Sequence, residues 1–116
     1  MSDPICLFCR IIRRELPATV VYEDDEVLAF QDIAPKAPVH LLIVPKRHVE
    51  GLQALEDGDA GLIGSLFACL TRLARERGVA RSGYRAVVNA GADGGQSVLH
   101  LHLHLLGGRP MDWPPG

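Results

Sequence analysis

The stretch QSVLHLHLHLLGG, Gln96 to Gly108, decides how this chain folds. It holds His100, His102 and His104, three of the chain's five histidines, with a leucine between each and the next. Successive side chains of a strand point to opposite faces. A strand over residues 98–106 therefore shows three imidazoles on one face. Leu99, Leu101, Leu103 and Leu105 line the other, under a helix. The leucines are explained as core. An outer strand surface ordinarily carries Thr, Lys or Glu, so three imidazoles in register call for a chemical explanation.

Working outward, the chain reads as short, alternating elements. Upstream of the histidine strand, GYRAVVN reads as another strand and AGADGGQS as the glycine-rich loop between the two. Residues 59–77 have Leu62, Ile63, Leu66, Phe67, Leu70, Leu73 and Ala74 at three- and four-residue spacing, which predicts one long helix with a single buried stripe. Asp57 or Asp59 is suited to capping its start, Arg72, Arg75 and Arg77 suit its negative end, and Gly78 closes it. Cys69 falls beside the stripe and is expected in the core. VHLLIVPKRH starts as a nearly continuous apolar run and predicts a central strand ended by Pro45. TVVYED and EVLAFQDI, joined by an acidic turn, read as a hairpin. ICLFCRIIRREL reads as a short helix ending before Pro17. Short links between consecutive strands favour antiparallel pairing. The expected fold is α+β: a five-stranded antiparallel sheet with the long helix on one face and a short N-terminal helix.

Composition narrows the function. The 116 residues are 47% hydrophobic and 22% charged, as in one globular domain spanning 1–116. A formal net charge of -2 gives no basic footprint for nucleic acid. No apolar run approaches the roughly 18 residues of a membrane span. MSDPICLFCR lacks the pattern of a signal peptide, and three cysteines have no disulfide-framework spacing, so a cytoplasmic, reducing setting is expected.

Two chemistries suit aligned imidazoles. They can bind a metal, as His-x-His pairs do in zinc hydrolases. Alternatively one is a nucleophile toward phosphorus, with its neighbours as proton donors or orienters. The preceding loop favours the second. Gly91, Gly94 and Gly95 permit a turn whose N–H groups converge on an anion, Ser97 adds a hydroxyl and Asn89 an amide. His40, opening the central strand, is in reach of the same site or is an isolated polar residue. Asp32, beside Ile33, accepts from the hydroxyls of a ribose or is a turn aspartate before Ala34-Pro35.

Cys6-x-x-Cys9 forms a second cluster. Two thiolates at this spacing, with His48 and His100, would complete a tetrahedral zinc. Buried inert thiols and a redox pair are the alternatives, the latter without a thioredoxin-like context.

The motif HLHLHLL resembles the His-x-His-x-His-x-x signature of the histidine-triad (HIT) superfamily. VVYEDDEVLAFQDIAPKAPVHLLIVPKRH, GYRAVVNAGADGGQSV and LLGGRPMDWPPG extend the resemblance, over nearly the whole chain, to its Hint branch of nucleotide-binding proteins. The resemblance implies a homodimer with a ten-stranded sheet and a purine nucleoside phosphoramidate hydrolase, an adenosine or guanosine 5'-monophosphoramidase. Its partners would be purine mononucleotides and nucleoside phosphoramidates. His102 would be the nucleotidylated nucleophile, His104 and Ser97 would contact phosphate or leaving group, and His40 would support the nucleophile. Asp32 and Ile33 would line the nucleoside pocket, with Asn89, Gly95 and Gln96 around ribose and phosphate. The tail with Trp113 would reach toward the partner subunit. Cys6, Cys9, His48 and His100 depart from the Hint pattern and are similar to zinc-binding bacterial HIT proteins, implying a structural zinc and none in the chemistry. A nucleotide-binding regulatory or scaffold protein and a zinc-dependent hydrolase are the rival functions.

Overall fold

The computed structural model of the chain describes residues 3–116. Helix α1 (Leu7–Ile12) leads to strands β1 (Val20–Glu23), β2 (Val27–Gln31) and β3 (Val39–Pro45). Two short 3-10 turns precede helix α2 (Ala60–Glu76), and strands β4 (Tyr84–Val87) and β5 (Leu103–Gly107) follow it. The strands form one sheet in the order β1-β2-β3-β5-β4. Every pairing in it is antiparallel, as the short connections predict.

Both faces of this sheet are covered. Val27, Ala29, Leu41, Ile43, Leu101, Leu103 and Leu105 point to the side where α2 lays down Leu66, Cys69, Leu70 and Leu73. The intervening residues Leu28, Phe30, Leu42 and Val44 point the other way, under Phe8, Cys9 and Ile11 of α1. Burial on both sides is why β2 and β3 read as unbroken apolar runs rather than as alternations. The histidine face is thus not an outer surface: α1 roofs it, leaving His100 fully buried and His102 only 5% exposed.

α2 ends in a Schellman pattern. Val79 N–H donates to Ala74 O and Gly78 N–H to Arg75 O, so Gly78 closes the helix as expected. At its start Asp59 occupies the cap position without capping. Its carboxylate accepts from Glu56 N–H at 3.0 Å and from Arg47 at 2.7 Å instead. Phe67, expected in the buried stripe, is 44% exposed; the stripe centres on Leu66, Leu70 and Leu73, and Phe67 falls off its edge.

The histidine strand is shorter than the alternation predicts. Its ladder runs only from Leu103, which pairs with Ile43 of β3, while β4 ends at Val87 opposite His104. The preceding residues are held singly: Leu101 N–H donates to Val49 O, and His100 N–H turns back to Val98 O. That bend throws Leu99 outward, 57% exposed, so the expected core role fails for Leu99 and holds for Leu101, Leu103 and Leu105. Leu105→Ala is therefore expected to cost about 2–5 kcal/mol of stability and Leu99→Ala under about 1 kcal/mol. Urea unfolding of both variants checks this; equal losses would mean that Leu99 is packed as the alternation alone predicts.

Candidate active site and metal centre

The two histidine-bearing strands bring four imidazoles onto the face under α1. His104 lies opposite Leu42 on β3, which places it diagonally from His40, two residues earlier on the same face. His40 Nε2 stands 2.9 Å from His104 Nδ1 and 3.3 Å from an oxygen of Asp32. The backbone N–H of Lys36 donates to His40 Nδ1 at 3.0 Å. A nitrogen that accepts an N–H bond bears no proton, so neutral His40 carries its hydrogen on Nε2 and donates it to His104 Nδ1. His104 in turn carries its hydrogen on Nε2, which is buried without a partner among the described residues. His102 is ordered independently. Its Nδ1–H donates to the carbonyl of His100 at 2.7 Å, leaving the lone pair on Nε2. The rings of His102 and His104 lie 5.0 Å apart between centroids. An imidazole lone pair and an imidazole N–H donor thus stand side by side.

Burial favours the neutral form of His104 and His40. It lowers His104 to about 4, with His102 and His40 adding to the effect and Asp32 opposing it. Burial also lowers His40, again against the pull of Asp32.

A cavity of about 380 Å³ opens from His102 and His104. Leu7, Phe8 and Ile11 of α1 form one wall, and Phe30 and Leu42 of the sheet form the floor. Asp32 and the almost fully exposed Ile33 stand at the rim, and Ser97 faces the histidine end. Asp32 keeps its turn role as well, accepting from Ala34 N–H at 2.8 Å. The anion nest expected of the glycine loop differs from what is found. Gly95 N–H donates to Ala92 O, Gln96 N–H to Gly91 O, and Gly91 N–H to the Gln96 side chain. Gly94 is needed for compactness, since a Cβ there would lie 2.4 Å from Ala90 O. Gln96 is the loop's staple: its amide nitrogen donates to Glu50 O and Val98 O. Neither Asn89, Gly95 nor Gln96 lines the cavity. The Gln96 side chain is thereby engaged within the loop and at Glu50.

Phe8, Leu7, Ile11 and Leu42 were not singled out in the sequence. Leu42 could have been found from its place two residues after His40 on the same face. Phe8 could have been found from its place between the cysteines. Its ring meets His102 edge-on at 5.1 Å and His100 at 5.8 Å.

The second cluster assembles as expected. Cys6, Cys9, His48 and His100 bring their donor atoms within 4.8 Å of one another. Cys6 Sγ and Cys9 Sγ lie 3.3 and 3.5 Å from His100 Nδ1. His48 Nδ1 lies 3.3 Å from Cys9 Sγ and 3.2 Å from His100 Nδ1. A tetrahedral zinc with bonds of about 2.0–2.1 Å to nitrogen and about 2.3 Å to sulfur has ligand edges of about 3.3–3.8 Å. His100 Nε2–H donates to Pro45 O at 2.8 Å, which leaves the lone pair of Nδ1 pointing at the thiols. Burial lowers His100 to about 4, so that lone pair is retained. The donor set and its spacing fit the metal. Asp32, His40 and His104 also cluster at ligand spacing. Their proximity is already accounted for by the hydrogen bonds above.

The sequence profile of the HIT domain family matches residues 13–111, and the chain belongs to that family. A "14 kDa zinc-binding protein" of Zea mays is 48% identical over all of this chain and 91% of its own length. An "adenylylsulfatase HINT1" of Arabidopsis thaliana is 47% identical over 99% of this chain and 79% of its own. The crystal structure of a HIT family hydrolase from Legionella pneumophila superposes with a TM-score of 0.94 at 51% identity, covering 96% of this chain and 99% of that one.

Proposed function

We propose that this chain hydrolyses purine nucleoside phosphoramidates by double displacement through His102. The observation that carries the reading is the proton order: His102 Nε2 is a free lone pair, and His104 Nε2–H is a buried donor beside it. In the first step the His102 lone pair forms a bond to phosphorus and the P–N bond breaks toward nitrogen. The amine leaves with one proton taken up with the substrate. His104 Nε2–H donates to the atom on which negative charge grows. The charge gained by the His102 ring is stabilised through Nδ1–H on the His100 carbonyl. In the second step water attacks phosphorus, the P–Nε2 bond breaks, and the proton taken up is returned. The apolar cavity suits a planar base between α1 and the sheet, with Asp32 and Ile33 at the ribose and Ser97 at the phosphate. Asn89 and Gly95 belong to this reading through the family resemblance.

The Arabidopsis relative's name favours a second leaving group for the same machinery, sulfate on an adenylyl phosphorus, which departs as a stable anion. A zinc hydrolase using the triad as ligands is disfavoured because the three imidazoles diverge. His100 turns to the thiols, and His102 is oriented by a backbone carbonyl. A purely regulatory nucleotide-binding protein would not require the free lone pair and donor to be held side by side.

Zinc, held by Cys6, Cys9, His48 and His100, would serve as a brace. With four protein ligands there is no open position for water, so it supplies no step of the reaction. A homodimer also belongs to this reading. The exposed Phe67 of α2 and the edge strand β4 are apolar surfaces that a second copy would cover, extending the sheet to ten strands.

His102→Ala is expected to lower adenosine phosphoramidate turnover by several orders of magnitude while mononucleotide binding survives. Mass spectrometry of protein quenched during turnover should show a nucleotidyl adduct on His102, and normal turnover by the variant would sink the mechanism. Elemental analysis should find about one zinc per chain, retained in His102→Ala and lost in Cys9→Ser. Chelation should lower the melting temperature and weaken nucleotide binding, because the same cluster anchors the cavity wall. Well-folded, active protein devoid of zinc would reject the site. Sedimentation equilibrium at micromolar concentration should give twice the 12.6 kDa chain mass; a monomer alone would refute the dimer.

A further inference from the structure

We infer that Arg109 is a positioning residue for the imidazole pair, acting through the Ala34–Pro38 loop on the tautomer of His40. This loop reads Ala-Pro-Lys-Ala-Pro, and its prolines offer no N–H. The N–H of Lys36 is one of the few donors it has, and it is aimed at His40 Nδ1 at 3.0 Å. That bond, from the Nδ1 side, and the Asp32 carboxylate 3.3 Å from Nε2 together set the hydrogen of His40 on Nε2. Through the 2.9 Å contact with His104 Nδ1 it also obliges His104 to carry its hydrogen on Nε2, buried without a partner among the described residues.

Lys36 is held from outside. Its carbonyl accepts both Nε and Nη2 of Arg109, at 3.0 and 2.9 Å. The remaining bond of that guanidinium, from Nη1, goes to Pro110 O at 3.0 Å. The guanidinium is thus spent on backbone carbonyls, as a clamp rather than as a charge partner. The tail reaches this position by turning at Gly108, whose φ of +90° favours glycine, and by lying flat on Pro38, 2.9 Å from where a Cβ of Gly108 would stand. Asp32 fixes the other end of the loop through Ala34 N–H. With Arg109 removed, the Lys36 end loses its fork. His40 is then free to place its hydrogen on Nδ1, its Nε2 becomes an acceptor, and His104 must turn its own hydrogen inward. The donor beside the His102 lone pair disappears while the cavity walls are untouched.

The kinetic part of this inference rests on His102 acting as the nucleophile; the tautomer part does not. The test uses the full chain labelled with 15N, whose imidazole two-bond 1H–15N spectrum distinguishes the two tautomers of each histidine. The native protein should show His40 and His104 as Nε2–H. Arg109→Ala should show a mixture at both, with kcat for adenosine phosphoramidate down by about two- to tenfold, the equivalent of one ordinary hydrogen bond, and KM nearly unchanged. Arg109→Lys, which keeps one donor, should fall between and also serves if the alanine variant fails to fold. Arg85→Ala is the control: it releases the tail at Asp112 O, where Arg85 donates at 2.8 Å, but spares the Lys36 clamp. It should leave both tautomers as in the native chain. Unchanged tautomers in folded Arg109→Ala or Arg109→Lys, or the same mixture in Arg85→Ala, would overturn the inference. Shifted tautomers with unchanged turnover would support the clamp and count against His104 Nε2–H as the donor in the reaction instead.

Discussion

Everything at the working end of this molecule passes through His100. It is fully buried, and each of its polar groups is committed in a different direction. Nδ1 faces the two thiols and His48; Nε2–H is bonded to Pro45 O at the end of the central strand. Its N–H turns back on Val98, and its carbonyl receives His102 Nδ1–H. One residue therefore joins the thiol–imidazole cluster, the sheet and the orientation of the next imidazole. A ring buried this deeply is tolerated only when its polar atoms are satisfied. Disturbing any one of these partners leaves an unpaired group in the interior and turns His102 away from the cavity.

The same cluster explains how a six-residue helix can form a binding wall. A helix as short as α1 has no stability of its own in water. Cys6 caps it through Cys9 N–H, and Cys6 and Cys9 tie its N-terminal turn to His48 and His100. Between those ties sits Phe8, wedged edge-on against Phe30, His100 and His102. The cavity wall is therefore as firm as the thiol–imidazole cluster behind it. Asp3, whose carboxylate lies 4.0 Å from His48 Nε2, adds an outer orienting group of the kind that metal-bound histidines commonly carry.

The elements of the fold and the family were legible because they rest on local periodicity and on residue types of narrow use. Period two in the Leu101–Leu105 segment, period 3.6 in α2, the closing Gly78 and the thiol spacing are all local signals. What was not legible depends on which partners each residue finds. The histidine ladder starts at Leu103 because the preceding residues bond to Val49 O and Val98 O rather than to β3, and no pattern within HLHLHLL reports that. Leu99 points outward for the same reason. The roof over the histidine face could not be read from α1 alone, whose apolar residues fit a stripe packed anywhere. The loop N–H groups defeated the nest reading because Gln96 fills the loop from within, and a glycine count cannot show what a side chain several residues away will do. Arg109 escaped notice because it acts on backbone carbonyls, which carry no residue signature.

The cavity's charge follows from the same burial. Among the described residues no Lys or Arg lines it; its ionisable groups are His102, His104 and the carboxylate of Asp32. With the net charge of the chain at -2, no fixed positive field draws an anion in. In the proposed reaction a phosphate here would be recognised by neutral donors, His104 Nε2–H foremost. A neutral donor discriminates weakly between the singly charged ground state of a phosphoramidate and free water, but strengthens as charge concentrates on the atoms it faces. It also holds a product phosphate less firmly than an ion pair would. Burial that keeps His104 neutral, well below its ordinary value at about 4, is thus the electrostatic counterpart of the proton order; in the proposed reaction it would favour the step over the resting complex and ease release of the product.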